Sequence, residues 1–148
     1  MKLIKEILDK ANQYRDYTAR NLSKLVQTKS LSTKEKDVAL LIKSMMEEAN
    51  FDEVFIDGLG NVIGRIGNGK KVIAIDGHID TVDVGNINNW TFDPFSGEIK
   101  DGYVFGRGSV DQKRWSCVVY HCRKNFERDW TPQRCNYLLC RFSYGRRL

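Results

Sequence analysis

The sequence predicts an α/β domain: two helices leading into a mixed sheet. Three observations carry that prediction. Apolar residues recur at helical spacing through the first fifty residues. Three short apolar runs follow, each set off from the next by a glycine turn. The last run, Val72-Ile73-Ala74-Ile75, does not alternate, which predicts a central strand covered on both faces.

Taken in order, residues 3–26 place Ile4, Ile7, Leu8, Ala11, Leu22, Leu25 and Val26 near a 3.6-residue period, predicting one amphipathic helix. Ser32-Thr33-Lys34-Glu35 reads as a capping box, with a hydroxyl for the N3 amide and a glutamate reaching back. The helix it opens carries Val38, Leu41, Ile42, Met45 and Ala49 on one face. Its methionines are most simply core, as gap-filling side chains. Strands are predicted over Glu53–Ile56, Asn61–Ile66 and Lys71–Asp76, with turns at Gly58-Leu59-Gly60 and Gly67-Asn68-Gly69. Asp101-Gly102, between Ile99 and Tyr103, predicts a hairpin.

A chain of 148 residues with 41% hydrophobic and 29% charged content suits one soluble domain. The amino terminus enters the amphipathic pattern at once, without the apolar segment of a secretory signal. No apolar run reaches the roughly 20 residues of a membrane span. Cytoplasm is the expected compartment, with no membrane partner. The net charge of +5 is an average over two unlike pieces. Residues 1–113 hold 16 Lys/Arg against 17 Asp/Glu, whereas residues 114–148 hold 8 against 2. All four cysteines and two of three tryptophans, Trp115 and Trp130, lie in that second piece.

The chemistry is concentrated at two places. His78 follows the apolar run, at the strand end where open α/β sheets place ligands. Imidazole is a natural zinc ligand, and Asp80, two residues on, suits the second ring nitrogen. Asp111 ends the glycine-rich segment Gly106-Arg107-Gly108, where a carboxylate can be turned inward to bridge two metal ions. Each residue also has a plainer reading. A single histidine at a strand end is more often structural, and Asp80 or Asp111 can serve as turn carboxylates. Gly106-x-Gly108 alone does not make a phosphate loop.

Together the segments are far more specific. Gly77-His78-Ile79-Asp80-Thr81-Val82, Trp90-x-x-Asp93-Pro94-Phe95 and Asp101-Gly102-x-x-x-Gly106-Arg107-Gly108-x-x-Asp111-x-Lys113 closely resemble the co-catalytic zinc metallopeptidase family M20. That family includes aminoacylases, carboxypeptidases, acetylornithine deacetylase and succinyl-diaminopimelate desuccinylase. Gly85-Asn86-Ile87-x-Asn89-Trp90 is similar to a branch of hydrolases associated with selenium metabolism. The resemblance covers residues 1–113 and implies the N-terminal part of a zinc-peptidase-like catalytic domain. It implies His78 as a ligand of one of two zinc ions, Asp80 as its orienting carboxylate and Asp111 as the bridging ligand. It further implies a small amide or peptide substrate, no nucleic acid, and a homodimer formed through a domain not seen here. In the family a Glu-Glu pair, a later carboxylate and a late histidine complete the site. None stands at a matching position in this chain.

After Lys113 the family continues with Gly-Gly and small residues, but here Arg114-Trp115-Ser116-Cys117 stands instead. Joining the last two bases of each codon to the first of the next converts these four to Gly-Gly-Ala-Ala. Cys140 through Arg147 in that frame allow Val-Gly-Ser-Val-Met-Glu-Glu-Asp, which restores the missing pair. The expectation is an incomplete catalytic domain over 1–113, an out-of-frame, non-native tail over 114–148, and no activity. The rival expectation is a small binding module. Cys117-x₄-Cys122 and Cys135-x₄-Cys140, with His121, would hold structural zinc, or the basic tail would grip nucleic acid.

Overall fold

Residues 2–70, 72–114, 116–117 and 137–143 are described in the computed structural model, the last segment and Leu3 by backbone alone. The helices are α1 (Lys2–Gln13), α2 (Arg15–Gln27) and α3 (Lys36–Glu48). The strands are β1 (Glu53–Ile56), β2 (Val62–Ile66), β3 (Val72–His78), β4 (Ile99–Lys100), β5 (Tyr103–Val104) and β6 (Tyr137–Ser143). Four form a mixed sheet in the order β1-β2-β6-β3, with β6 antiparallel to β2 and parallel to β3. The pair β4-β5 is the expected hairpin, with Asp101 and Gly102 both at positive φ, as a two-residue turn of this kind requires.

Helix α3 packs on β1 and β2. Its face of Val38, Ile42, Met45 and Ala49 is buried as its spacing predicts, with Met46 beside it and Leu41 only partly covered. Leu22, Leu25 and Val26 of α2 join the same core, as do Val62 and Ile79. No helix among the described residues is long and apolar enough to cross a membrane.

Several local expectations change. The helix over 3–26 divides at Tyr14, which takes φ −94° and ψ 5°. In α1 the apolar stripe stays in solvent, with Ile4, Ile7 and Leu8 each at least half exposed. Helical period reports amphipathicity, not whether a partner lies opposite; α1 touches α2 alone among the main element contacts. The capping box does not form. The helix starts at Lys36 with Glu35 as its flanking residue, and Glu35 Oε1 accepts from the Thr33 amide at 2.8 Å rather than from that of Ser32. Strand β3 is not covered on both faces: it borders the sheet, and Val72 and Ile73 are 56% and 50% exposed. Finally, the segment read from sequence as an out-of-frame tail supplies β6, between β2 and β3.

Candidate metal centre

His78 is the last residue of β3, and each of its ring nitrogens has a carboxylate oxygen nearby. Nδ1 lies 3.0 Å from Asp80 Oδ1 and 3.1 Å from the Asp80 carbonyl. Nε2 lies 3.3 Å from Asp111 Oδ1. Thus the three residues singled out from the sequence meet in one place. The His78 and Asp80 side chains are largely covered, at 17% and 15% exposure, whereas that of Asp111 is 82% exposed. The first pair is a fixed mount and the Asp111 carboxylate faces the open side.

The glycines before Asp111 explain how that carboxylate gets there. Gly106 sits at φ +141°, and a Cβ on it would lie 2.3 Å from Val26 Cγ1 and 2.8 Å from the Pro94 carbonyl oxygen. Its neighbour Arg107 donates its amide to that same Pro94 carbonyl at 2.7 Å. The Arg107 guanidinium lies over the Trp90 ring, 4.9 Å from its centroid, and Trp90 Nε1 donates to the Val84 carbonyl at 3.0 Å. Gly106→Ala is therefore expected to cost about 2–4 kcal/mol, from overpacking against backbone plus strain at positive φ. Urea denaturation would measure it; a midpoint unchanged from the parent would show that the segment gives way freely.

Three contacts escaped sequence reasoning because their partners are far apart in the chain. The Gln112 side chain accepts the His78 amide through Oε1 at 3.0 Å, joining the two ligand-bearing segments. Lys113 is buried, and Nζ donates to the carbonyls of Leu25 and Thr28 at 2.7 and 2.8 Å, at the C-terminal end of α2. Burial pushes its ammonium pKa down to about 8. The Ser32 hydroxyl, read from sequence as a helix cap, donates to Asp80 Oδ2 at 2.5 Å.

Two ligands on one tetrahedral zinc, each about 2.0–2.1 Å from the ion, stand roughly 3.3–3.4 Å apart. The separation of His78 Nε2 from Asp111 Oδ1 fits that span, and Asp80 on Nδ1 leaves the Nε2 lone pair free to face an ion. The residues present fit a metal, but only part of its shell. Among the described residues no group of three or more His, Cys, Asp or Glu is arranged to hold one.

Residues 74–140 match the model of Peptidase family M20/M25/M40, a span that contains His78, Asp80 and Asp111. That span belongs to this family. The M20 match continues past Lys113 into the basic segment. Among curated relatives, the uncharacterized protein YgeY of Escherichia coli K12 is 48% identical over 109 residues, 74% of this chain and 27% of that protein. A probable succinyl-diaminopimelate desuccinylase of Staphylococcus epidermidis is 36% identical over 97 residues, covering 64% and 24%. The chain thus spans about a quarter of the length of these relatives. Solved structures agree on the M20 fold. Human carnosine dipeptidase 1 superposes with TM-score 0.79 at 14% identity, covering 95% of this chain and 34% of that one. An M20 family metallo-carboxypeptidase of Sulfolobus solfataricus gives 0.71 at 21% identity, covering 86% and 30%.

Proposed function

We propose that this chain represents a zinc-dependent amide hydrolase acting on N-acyl amino acids or small peptides, and that its 148 residues carry an incomplete, inactive site. One observation carries the reading: His78 and Asp111 converge at ligand–ligand distance, with Asp80 holding the far ring nitrogen. When bound, zinc supplies a water of near-neutral pKa and polarises the amide carbonyl. His78 would hold one ion through Nε2. Asp80 keeps the Nδ1 proton in place and so fixes the tautomer. Asp111 meets His78 through Oδ1, and its second oxygen suits a neighbouring ion. The glutamate that would take the proton from water has no counterpart at the matching position of this sequence.

The proposed boundary is Lys113, with residues 114–148 read out of frame. The register of β6 supports it. That strand runs parallel to β3 and ends with Ser143 beside His78. The codons of Gly145 and Arg146, which allow Glu-Glu in the other frame, come two residues later in the sequence. A strand survives the shift because apolar residues remain at 138–140, which also accounts for a family match reaching residue 140.

The competing module with a zinc-holding tail has less support. Cys117 is buried and its thiol pKa is pushed up to about 12, so it resists becoming the thiolate a metal needs. His121, Cys122, Cys135 and Trp130 lie outside the described residues, as does Trp115; Cys140 falls in β6. A free Cys117 suits a reducing cytoplasm, the compartment that goes with this reading.

Zinc titration of the full chain tests the proposal. Binding is expected to be weak, and His78→Ala or Asp111→Asn should reduce it at least tenfold, while Cys117→Ser and Cys140→Ser leave it unchanged. Tight one-to-one zinc that survives His78→Ala and is lost with the cysteines would overturn it. So would zinc-dependent amide turnover by the 148-residue chain.

A further inference from the structure

We infer that Ser32 is a positioning residue for the metal centre, its hydroxyl locking the carboxylate that orients His78. The inference rests on the metal reading above and adds a residue to it. Asp80 divides its two oxygens between two donors: Oδ1 lies 3.0 Å from His78 Nδ1, and Oδ2 accepts from Ser32 Oγ at 2.5 Å. A carboxylate terminal torsion is otherwise broad and nearly two-fold. With both oxygens engaged, rotation breaks the Ser32 hydrogen bond and the contact with His78 Nδ1 at once. With Oδ2 taken by the Ser32 hydroxyl, Oδ1 is left facing His78 Nδ1, where an oxygen that only accepts matches an imidazole carrying its proton on Nδ1.

The backbone shows that Ser32 is brought there by more than its own side chain. The connection between α2 and α3 is zipped to the residue that follows Asp80. The Thr81 amide donates to the Ser30 carbonyl at 2.7 Å, and Leu31 pairs with Thr81 in a parallel bridge. The same connection begins at Thr28, whose carbonyl accepts from Lys113, two residues beyond Asp111. One short stretch, Thr28 to Ser32, thereby contacts both ligand-bearing segments. The serine's place just before a helix is incidental to this role, since its hydroxyl is turned to Asp80 and α3 has no side-chain cap.

The test uses Ser32→Ala, Ser32→Thr and Asp80→Asn in the full chain, with two readouts. Imidazole ¹⁵N spectra of the metal-free protein at about pH 8.5, above the ordinary histidine range near 6.5, report the His78 tautomer. The parent and Ser32→Thr are expected to show the Nδ1–H form alone, and Ser32→Ala a mixture of tautomers. Zinc affinity is expected to fall about three- to tenfold in Ser32→Ala, less than the roughly 10–100-fold that loss of a carboxylate partner brings, and to stay near the parent in Ser32→Thr. Circular dichroism should be unchanged, since the Ser32 side chain lies at the surface. A folded Ser32→Ala with the parent's tautomer and affinity would overturn the inference. A tautomer change in protein that binds no zinc in any variant would leave Ser32 as the positioning residue and sink the metal reading instead.

Discussion

Deleting one base at codon 114, and reading on through the downstream DNA, is expected to yield a zinc-dependent amide hydrolase from a chain proposed to be inactive. Under the proposed frameshift the Arg114–Cys117 codons allow Gly-Gly-Ala-Ala and those of Gly145 and Arg146 allow a glutamate pair. One glutamate supplies the base that His78 and Asp111 do not. A positioned base alone contributes about 10²–10⁴ in rate, and the second glutamate adds a ligand, so the restored protein should exceed the 148-residue chain by at least about 10². A panel of N-acyl amino acids and dipeptides, assayed with and without chelator, measures this. Restored protein that folds and holds zinc, yet hydrolyses no amide on the panel, would defeat the proposed function.

Replacing Lys113 by methionine is expected to cost on the order of 2–4 kcal/mol. The methionine fills similar space but leaves the Leu25 and Thr28 carbonyls without their donor, at about 1–3 kcal/mol for each buried group left unmet. The variant should also lose a pH signature. In the folded chain Lys113 titrates near 8, below the ordinary lysine value near 10.4. Below pH 8 both states hold the proton and the full cost of burying the charge is present. Between about 8 and 10.4 the unfolded chain binds more protons, so stability rises with pH. Cys117 acts in the opposite sense from about 9 upward, because its raised pKa makes the unfolded chain lose its proton first. The parent should therefore gain stability from pH 8 to 9 and then level off, and Lys113→Met should not gain. Urea midpoints at the two pH values decide it, and an identical rise in both proteins would remove Lys113 from the explanation.

The sequence made β1, β2 and the β4-β5 hairpin legible because their turns are built from glycine and Asp101-Gly102, whose backbone demands are local. His78, Asp80 and Asp111 were legible as a constellation, and the fold brings them together. What could not be read was set by distant partners. Ser32 looked like a cap because its three-residue spacing to Glu35 is right for one, yet its hydroxyl is spent on a residue 48 positions away. Lys113 reaches back 88 positions to Leu25. Val72-Ile73 gave a correct strand but a false account of burial, and the apolar pattern over 3–26 gave helix without the break at Tyr14 or the exposure of Ile4, Ile7 and Leu8, since spacing does not say what lies opposite.

The place of β6 has a consequence for the order of events during synthesis. Strands β2 and β3 leave the ribosome almost together, yet they are not neighbours in the finished sheet. They stand two strand spacings apart, roughly 9–10 Å, and the slot between them waits for residues 137–143. Bringing that strand back across so long a loop adds only slowly to the entropic cost of closure, but it makes the step non-local and therefore slow. Meanwhile both lips of the slot offer unpaired backbone to any passing strand, including one from another copy. Folding of this chain is then a race between a first-order insertion and a second-order capture. Its yield should fall as protein concentration rises, even where the final structure is stable.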